Sequence, residues 1–442
     1  MSACMFGTLL AGCAGGGSSV TRSAGTVPSA AQQGTVVGTE AAVGHEVHSG
    51  VRRTLSAPTC SGIGAGAFLG ANNTNVAHGE YSVVGGGQFD QACDGWSVVA
   101  GGYQNAVSGS GSVVDGFIGA GESNALTGID TDSAIVAGNG NGVSASDSAI
   151  VGGQGNSVSV AYALVGAGSG NTIASPGYYA AIVSGSQNNL SGEYGFIGAG
   201  LHNTVSGEGG YIAAGGYNSV TGEGAVIDGG FNSTAGGTFA TIPGGYVNSA
   251  GGTYSFAAGA RASAAQTGTF VWSDGSDGDA ILTSTAAYQF LARASGGFTL
   301  WTNAASTVGA RLAPGSGTWA SASDRNLKTD VARIDDAAVL DKVASLPIER
   351  WSYKSERGVR HVGPMAQDFY AAFGVGEDDK HITSIDEDGV ALAAIKALHA
   401  RVGVLDTENA QLRVRLASLT SSQASVRREL RRLTAKVETL AH

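Results

Sequence analysis

Short apolar pairs alternate with glycine-rich turns through the middle of this chain, and the alternation has a nearly fixed period. Each unit carries a five-residue core of the form Asn-x-apolar-x-Gly or a close variant, and the spacing between cores runs from 14 to 19 residues. The cores begin at Asn75, Gln91, Asn105, Asn124, Asn141, Asn156, Asn171, Asn188, Asn203, Asn218, Asn232 and Asn248. A repeat of this kind is typical of a solenoid or an array.

A unit of about 15 residues is too short for a pair of helices but long enough for two short strands and two turns. Glycine supplies positive φ at the corners, and the β-branched residues favour strands. One coil cannot bury its apolar face alone, so the coils are expected to stack. We therefore predict a mainly β fold, with residues 59–255 forming a β-roll or β-solenoid. The Asn side chains are expected to bond turn backbone and to form a ladder with the Asn of the next coil.

Two further patterns follow the repeats. From Tyr254 to Trp319 the period is lost, and apolar residues alternate as in longer strands, so residues 256–322 are predicted to form a β cap and neck. From Ile395 onward the chain has a heptad pattern, which predicts a coiled coil over residues 397–442. Its a positions are Ile395, Val402, Asn409, Leu416, Gln423, Leu430 and Val437, and its d positions are Leu398, Leu405, Leu412, Leu419, Val426, Leu433 and Leu440.

Composition and charge exclude some functions. The chain has 72 Gly in 442 residues and only 13% charged residues, which is unusual for an ordinary globular enzyme. Residues 396–442 carry nine Lys or Arg and four Asp or Glu, a net charge of +5, so the total of −11 leaves −16 for the rest of the chain. Phosphate binding needs clustered Lys and Arg, so an acidic repeat body argues against nucleic acid as a partner.

The four cysteines point to export. Leu10-Ala11-Gly12-Cys13 resembles the lipobox of bacterial lipoproteins, although the apolar stretch is short and no Lys or Arg precedes it. This resemblance implies a signal at residues 1–12, lipidation of Cys13 and a flexible tether at residues 13–58; chance is the alternative. No stretch has the roughly 18 apolar residues of a membrane span, so any membrane contact is expected only through the lipid anchor. Cys60 and Cys93 either form a disulfide or are two small buried residues.

Four separated motifs follow one another near the C-terminus. They are Ser323-Asp324-Arg325-Asn326-Leu327-Lys328, Leu346-Pro347-Ile348-Glu349-Arg350-Trp351-Ser352-Tyr353, His361-Val362-Gly363-Pro364-Met365-Ala366-Gln367-Asp368 and Ala393-Ala394-Ile395-Lys396-Ala397-Leu398. Residues 323–396 thereby resemble the intramolecular chaperone auto-processing domain that ends phage endosialidases, tail fibres and tailspikes. The resemblance implies a small α+β domain that trimerises its passenger and then releases itself once, as an autoproteolytic serine peptidase acting in cis.

The resemblance also implies roles for five residues. Ser323 would be the nucleophile and Lys328 the general base, Asp324 would shape the site, and Gly363 and Gln367 would belong to the supporting core. The chemistry is reasonable, because a Ser hydroxyl is a weak nucleophile until a base takes its proton, and Lys serves as that base only when it is desolvated. Which peptide bond beside Ser323 is cut stays open. No cofactor and no metal are expected.

The repeats resemble the heads of trimeric autotransporter adhesins, which implies a β-roll of three chains. Asp115 and Asp228 interrupt glycine corners about seven repeats apart, so they cannot form the close carboxylate pair of a glycosidase, and no turnover enzyme is expected in the repeats. Four aromatic residues beside the core either pack on the next coil or stack on a ligand. They are Tyr103, Tyr217, Phe231 and Tyr246.

These inferences predict a homotrimeric, adhesin-like fibre at the outer membrane or cell surface, or outside the cell, that binds an unknown glycan or protein and matures by self-cleavage at Ser323. The first alternative is a phage or prophage tail fibre with the same chaperone, located on the virion. The second is a structural surface protein whose tail is never cut.

Overall fold

The computed structural model describes residues 60–70, 74–109, 115–129 and 131–440. The predicted signal at 1–12, Cys13 and the predicted tether at 13–58 lie outside the described residues. The chain divides into two compact units, Met1–Arg293 and Ala294–His442, and each is described by itself below.

The first unit is a parallel β-solenoid, which confirms the predicted repeat fold. Each coil contributes two short strands, and corresponding strands of successive coils pair in parallel to form two sheets, called here sheet A and sheet B. Sheet A consists of Phe68–Leu69, Val83–Val84, Val98–Val99, Gly116–Ile118, Ser133–Ile135, Ala149–Ile150, Leu164–Val165, Ala181–Ile182, Phe196–Ile197, Tyr211–Ile212, Val226–Ile227, Thr241–Ile242, Gly245–Tyr246, Phe256–Ala260, Phe270–Asp274 and Phe290–Arg293. Sheet B consists of Val76–Ala77, Gln91–Ala92, Ala106–Ser108, Ala125–Thr127, Gly142–Val143, Ser157–Val158, Thr172–Ile173, Asn189–Leu190, Thr204–Val205, Ser219–Val220, Thr234–Ala235, Ser249–Ala250, Ala262–Ala264 and Leu282–Thr283.

The core lies between the two sheets and is built from Ala, Val, Ile and Leu. Nearly every two-residue strand has one residue facing the core and one facing outward, because successive residues of a strand point to opposite faces. In one coil Ile212 from sheet A and Val220 from sheet B are fully buried. Their counterparts in neighbouring coils belong to the same buried cluster. The apolar face of every coil is therefore covered by the coils beside it, as the period predicted.

A ladder of buried Asn side chains closes one corner of the solenoid, as predicted. Asn171 shows the pattern: its Nδ2 donates to Asn156 Oδ1 at 3.1 Å and to the Gly185 carbonyl at 2.9 Å. Its Oδ1 accepts from the backbone N–H and Nδ2 of Asn188 at 3.1 and 3.0 Å. The corner needs glycine, because Gly168 has a φ of 111° and a Cβ there would lie 2.0 Å from the Gly185 carbonyl oxygen.

Two predicted members of the ladder are wrong. The register pairs Gln91 with Val76 and Ala106, so Gln91 is a strand residue. Asp90 takes the ladder position instead, and its carboxylate accepts the backbone N–H of Asn105 at 2.9 Å.

Asn232 lies at the exposed corner, with a φ of 56°. Ser233 takes the ladder position there, because its backbone N–H donates to Asn218 Oδ1 at 3.1 Å and its Oγ accepts the backbone N–H of Asn248 at 3.2 Å. In both coils the predicted residue lies one position away from the residue that joins the ladder.

The parallel pairing continues past residue 255, where the sequence pattern placed the end of the stacked coils. Phe256–Ala260 pairs with Phe270–Asp274, which pairs with Phe290–Arg293, all in parallel and all in sheet A. The 15-residue period disappears because these strands and their connections are longer, yet the alternation of inward and outward residues persists. Pairing in the first unit therefore extends to Arg293.

The disulfide question is resolved at the start of the solenoid. Cys60 and Cys93 are bonded, with Cα atoms 5.8 Å apart and a separation of 33 positions in sequence. The bond ties the first described residue to a coil of sheet B, next to the strand Gln91–Ala92.

The second unit is a small α+β assembly. Three antiparallel strands, Phe298–Trp301, Gly309–Leu312 and Trp319–Ser321, are followed by the 3-10 turn Arg325–Leu327, helix α1 (Asp336–Ser345), a hairpin of Glu349–Trp351 and His361–Gly363, helix α2 (Ala366–Phe373) and helix α3 (Ser384–Leu440). Helix α1 packs on α3, where Lys396 pairs with Asp336. Only Phe369, Ala393 and Ala394 are buried apolar residues among those described in this unit.

Helix α3 is one continuous helix of 57 residues, about 85 Å long at 1.5 Å per residue. The apolar a and d side chains of its heptads are all exposed, for example Leu419 at 68%. The stripe that the heptads predicted is therefore present and stays uncovered by the described residues of the chain. No helix in the described residues is both long and apolar enough to cross a membrane.

Candidate functional site

A single tight turn shapes the backbone around Ser323. The strand Trp319–Ser321 ends two residues before it, and Asp324 then caps the 3-10 turn Arg325–Leu327. The Asp324 carboxylate accepts the backbone N–H of Asn326 at 2.9 Å and its side-chain Nδ2 at 3.0 Å. Asp is well suited to this place, since its side chain satisfies the free N–H groups at the start of a turn. Asp324 therefore holds this turn, and the role that the resemblance implies for it stays a prediction.

The turn brings Ser323 and Lys328 together. Lys328 Nζ donates to Ser323 Oγ at 2.7 Å, although five residues separate the two in sequence. On a regular α-helix residues five apart do not share a face, so the contact depends on Ser323 lying before the turn and Lys328 at its end. The distance is within the range in which a base and a nucleophile exchange a proton.

In one chain the pair is open to water, since Ser323 and Lys328 are both exposed. A lysine acts as a general base only after it has lost its proton, and desolvation of the ammonium group favours that loss. The contact is therefore in place, while the burial that would activate it is not supplied by the described residues of one chain.

The other two predicted site residues lie on the hairpin and on α2. Gly363 ends the second strand of the hairpin, paired with Glu349, and Gln367 is exposed in the first turn of α2. Among the described residues, no side-chain hydrogen bond joins Gln367 to Ser323 or Lys328. The structure therefore brings together two of the five predicted residues, with Asp324 beside them.

The hairpin carries a cluster that the sequence reasoning missed. The Trp351 ring lies 4.7 Å from the ring of His361 and 5.0 Å from that of Tyr353, measured between centroids. His361 Nε2 is 3.2 Å from a carboxylate oxygen of Glu356. Trp351 Nε1 is buried without a hydrogen-bond partner among the described residues. The period-two spacing of Trp351 and Tyr353 was the available signal, since such residues share one face of a strand.

The hairpin, α2 and the start of α3 follow the Ser323–Lys328 contact in the order in which the four motifs occur. Residues 323–374 match the peptidase family model described as the chaperone of endosialidase. This confirms the resemblance at the C-terminus. The chaperone segment, as residues 323–374 are called below, begins at Ser323 and ends at Gly374, the left-handed C-cap of α2 with a φ of 63°. A search of curated proteins found no match.

The aromatic residues of the repeats form ladders that are both packed and exposed. His202, Tyr217, Phe231 and Tyr246 follow one another on successive coils, with ring centroids 4.9, 5.2 and 6.1 Å apart. Tyr217, Phe231 and Tyr246 are still 46–47% exposed. Tyr103 contacts Phe89 edge to face at 5.8 Å. The two interpretations of these residues are thus compatible, because a ring can cover its neighbour on one face and leave its edge in solvent.

A second ladder was missed by the sequence reasoning. Tyr162, Tyr179 and Tyr194 stack nearly parallel, with centroids 4.8 and 5.3 Å apart, at the corner that precedes sheet A. Their spacing of 17 and 15 residues was the signal that could have revealed them. Among the described residues, no group of three or more His, Cys, Asp or Glu is placed to hold a metal ion.

Proposed function

We propose that the chaperone segment assembles three copies of the chain into a fibre and then cuts itself off beside Ser323. In this proposal Ser323 is the nucleophile and Lys328 is the general base. The observation that carries it is the 2.7 Å contact from Lys328 Nζ to Ser323 Oγ, which lies at the first residue of the family match. Asp324 holds the turn that makes this contact.

The reaction would proceed in two steps. Ser323 Oγ attacks the carbonyl carbon of the adjacent peptide bond while its proton moves to Lys328 Nζ, and the C–N bond breaks as the proton passes to the leaving amine. An ester then links the acyl part to Ser323. Water hydrolyses this ester and leaves a free carboxylate and a free hydroxyl. Since one chain supplies both groups, each molecule cuts once.

Assembly would supply the missing burial. Leu327 is 45% exposed and Val331 is 65% exposed, and the two flank Lys328 in the sequence. A neighbouring copy that covers these apolar side chains also removes water from Lys328. Cutting is thereby coupled to correct assembly, and an unassembled chain stays whole.

The helix α3 is the element proposed to bring the copies together. Its exposed a and d residues need partner helices, and three strands are adopted from the resemblance to the endosialidase chaperone. Near-identical coils can pair one repeat out of step at little loss, so a coiled coil is needed to set the register. Once the tail has been released, a trimer that unfolds slowly is kinetically trapped.

The lasting product would be the solenoid, exposed outside the cell and binding a glycan or a protein through its aromatic ladders. Ring faces and edges stack on sugars and on apolar protein surface, and the ladder from His202 to Tyr246 is regular enough to present several such contacts in line. The Cys60–Cys93 disulfide supports an exported location, since such bonds persist in oxidising compartments. Attachment through a lipidated Cys13 is the favoured form.

Self-cleavage is tested with the full chain and three variants. Intact mass measurement of the purified protein should show two fragments meeting beside Ser323 for the unaltered chain and for Ser321→Ala, a control two residues away. Ser323→Ala and Lys328→Gln should each give one uncut mass. A folded trimer of the unaltered chain that stays whole would contradict the proposal and favour the uncleaved structural protein.

Lipid attachment is tested separately. Cells that produce the chain are labelled with a palmitate analogue, and Cys13→Ser is the matched control. Label on the unaltered chain that disappears in the control supports the anchored form. Absence of label from both favours the tail fibre of a phage or prophage.

A further inference from the structure

The outward face of sheet A is apolar along its whole length. The in-register pairs of this sheet align one outward residue from each coil into a single row. The row reads Phe68, Val83, Val98, Phe117, Ala134, Ala149, Leu164, Ala181, Phe196, Tyr211, Val226, Thr241, Phe256, Phe270 and Phe290. Thr241 is its one polar member apart from the Tyr211 hydroxyl.

The outward face of sheet B has the opposite character. Its in-register row begins with mixed residues and is polar at every position from Ser157 onward. That polar part reads Ser157, Thr172, Asn189, Thr204, Ser219, Thr234, Ser249, Ser263 and Thr283. Both sheets belong to the same coils and use the same two-residue strands, so the difference reflects different surroundings and not a different local fold.

A second outward row of sheet A reinforces the contrast. Val136, Val151 and Val183 lie two residues after members of the first row, and they are 47–49% exposed. Asp228 is the one charged residue in an equivalent place. Large apolar patches of this kind mark interaction surfaces. Covering the outward face of sheet A would desolvate few charged groups.

Five of the seven aromatic members of the face already stack on one another. The rings of Phe196 and Tyr211 stack at 5.2 Å and 8°. Phe256, Phe270 and Phe290 form a run with 4.6 Å between centroids and 4° between planes at each step. Rings held by their neighbours lose little conformational freedom on binding, which suits them as anchors of an interface.

The dimensions fit a partner of the same period. Fourteen steps between strands at about 4.8 Å give a length of about 67 Å. A width of about 10 Å, the length of three residues along a strand, then gives an area of about 700 Å² for each copy. Stable interfaces bury about 800 Å² for each partner. A second copy of this chain has the same apolar row at the same spacing. The outward side chains of the two rows can therefore pack against each other along the whole face.

We infer that sheet A is the face on which copies of this chain meet, and that sheet B faces solvent. This inference rests on the proposed homotrimer and states which side of the solenoid lies at its centre. In a cyclic trimer each chain has one apolar face, and three such faces can meet around the three-fold axis. The polar face of sheet B and the corner ladders then remain open to a ligand.

The inference is tested by photo-crosslinking of the full chain. The variant Phe196→p-benzoylphenylalanine places a crosslinker of similar shape on sheet A, and Phe231→p-benzoylphenylalanine places the same group on a corner. Irradiation should link copies covalently at position 196, at least tenfold more than at position 231. Equal linkage at the two positions, or linkage at position 231 alone, would overturn the assignment.

A pair of charge variants gives an independent readout. Ala181→Glu brings three carboxylates to the proposed axis and should lower the melting temperature of the assembled body by on the order of 10 °C. Thr172→Glu on sheet B, one strand earlier in the chain, should change it by less than about 2 °C. Equal effects of the two variants would contradict the inference.

Sedimentation separates the possible failures. A monomeric full chain would overturn both this inference and the proposed trimer. A trimer that does not crosslink at position 196 overturns this inference alone. A trimer that crosslinks at position 196 but is never cut supports the inference and leaves only the self-cleavage proposal overturned.

Discussion

The solenoid and the tail unit bury apolar surface in very different ways. Among the described residues the solenoid has 35 fully or nearly fully buried apolar side chains, whereas the unit from Ala294 onward has three. The solenoid coils cover one another within a single chain. The tail instead exposes its heptad residues and the apolar side chains around Lys328. The body therefore completes its own core, whereas the apolar surface of the tail stays exposed among the described residues, and we propose that other copies cover it.

The two units therefore differ in what their sequences specify. In the body, each coil buries a small or branched apolar side chain on its strands, and nearly every coil repeats the ladder Asn, so the fold is specified locally and many times over. The same repetition specifies the register between copies weakly. In the tail, the polar a residues Asn409 and Gln423 interrupt an otherwise apolar stripe, which is how helices fix register and partner number. Each unit supplies what the other lacks.

The largest expected effect comes from breaking the tail stripe. Leu419→Asp places a charge at a d position and should abolish assembly of the full chain, and with it at least 99% of the cutting, because the charge would be buried among partner helices. Ser418→Asp, one residue away on the outer side of the heptad, is the control and should assemble normally. Sedimentation and intact mass measure both outcomes. A trimeric, cut Leu419→Asp protein would show that α3 does not drive assembly.

The next effect tests the local specification of the body. Asn171→Leu removes the bonds that Nδ2 donates to Asn156 Oδ1 and to the Ala167 and Gly185 carbonyls. It also leaves the buried backbone N–H of Asn188 without its acceptor, so the free energy of unfolding should fall by about 4 kcal/mol. Asn139→Leu, at an exposed corner, should change it by less than about 0.5 kcal/mol. Denaturant unfolding followed by circular dichroism gives both values. Similar losses for the two variants would mean that the ladder contributes little.

The disulfide should have a somewhat smaller effect. Reduction, or Cys60→Ser, removes the cross-link that closes a loop of 33 residues. The free energy of unfolding should fall by about 3 kcal/mol, because the unfolded chain gains conformational entropy. The same denaturant experiment measures it, and tail assembly should be unchanged. No loss of stability on reduction would show that the first coil does not take part in the cooperative unit.

The smallest effect is a pH dependence at one rung of the ladder. Burial raises the pKa of Asp90, partly offset by hydrogen bonds from Asn105, and its second carboxylate oxygen is buried with no hydrogen-bond partner among the described residues. The folded state then binds a proton more tightly than the unfolded state, so the stability that Asp90 contributes is full below about pH 4 and is lost as the pH rises through its folded pKa. Asp90→Asn should flatten this decline.

Asp94 defines the background of that measurement. Burial also raises the pKa of Asp94, so part of the decline should remain in Asp90→Asn. The exposed Asp132→Asn is the control and should keep the slope of the unaltered protein. A slope that does not change in Asp90→Asn would mean that this carboxyl does not hold a proton in the folded state.

Most of the body could be predicted from the sequence, because each coil repeats the same pattern of residue types. Asn171, its flanking glycines and the buried Ile173 repeat in every neighbouring unit, so one correct coil predicts the others. The errors at Gln91 and Asn232 arose where a residue of similar type stood one position away from the ladder, and only the strand register distinguishes such neighbours. The extension to Arg293 was missed because its strands pair without a constant period.

The site was predictable only in part. Ser323 and Lys328 were identified from their motif, and the turn that Asp324 caps brings them into contact. The Trp351 cluster and the Tyr162 ladder were not predicted, since both depend on which side chains the pairing places side by side. Disulfide formation between Cys60 and Cys93 likewise needed the distance between two coils. The spacing of residues in the sequence predicts periodic contacts well, but it predicts single tertiary contacts poorly.

Assembly is proposed to activate the Ser323–Lys328 pair by burying it, and the most direct test follows cutting during assembly. Uncut full-length chain, recovered under denaturing conditions from insoluble material, is refolded over a hundredfold range of concentration. Monomer and trimer fractions are separated at each time, and the mass of the chains in each fraction is measured. The account predicts that cut chains appear only in the trimer fraction and that their rate of appearance falls steeply on dilution. Cut monomers that appear at the same rate at every concentration would contradict it.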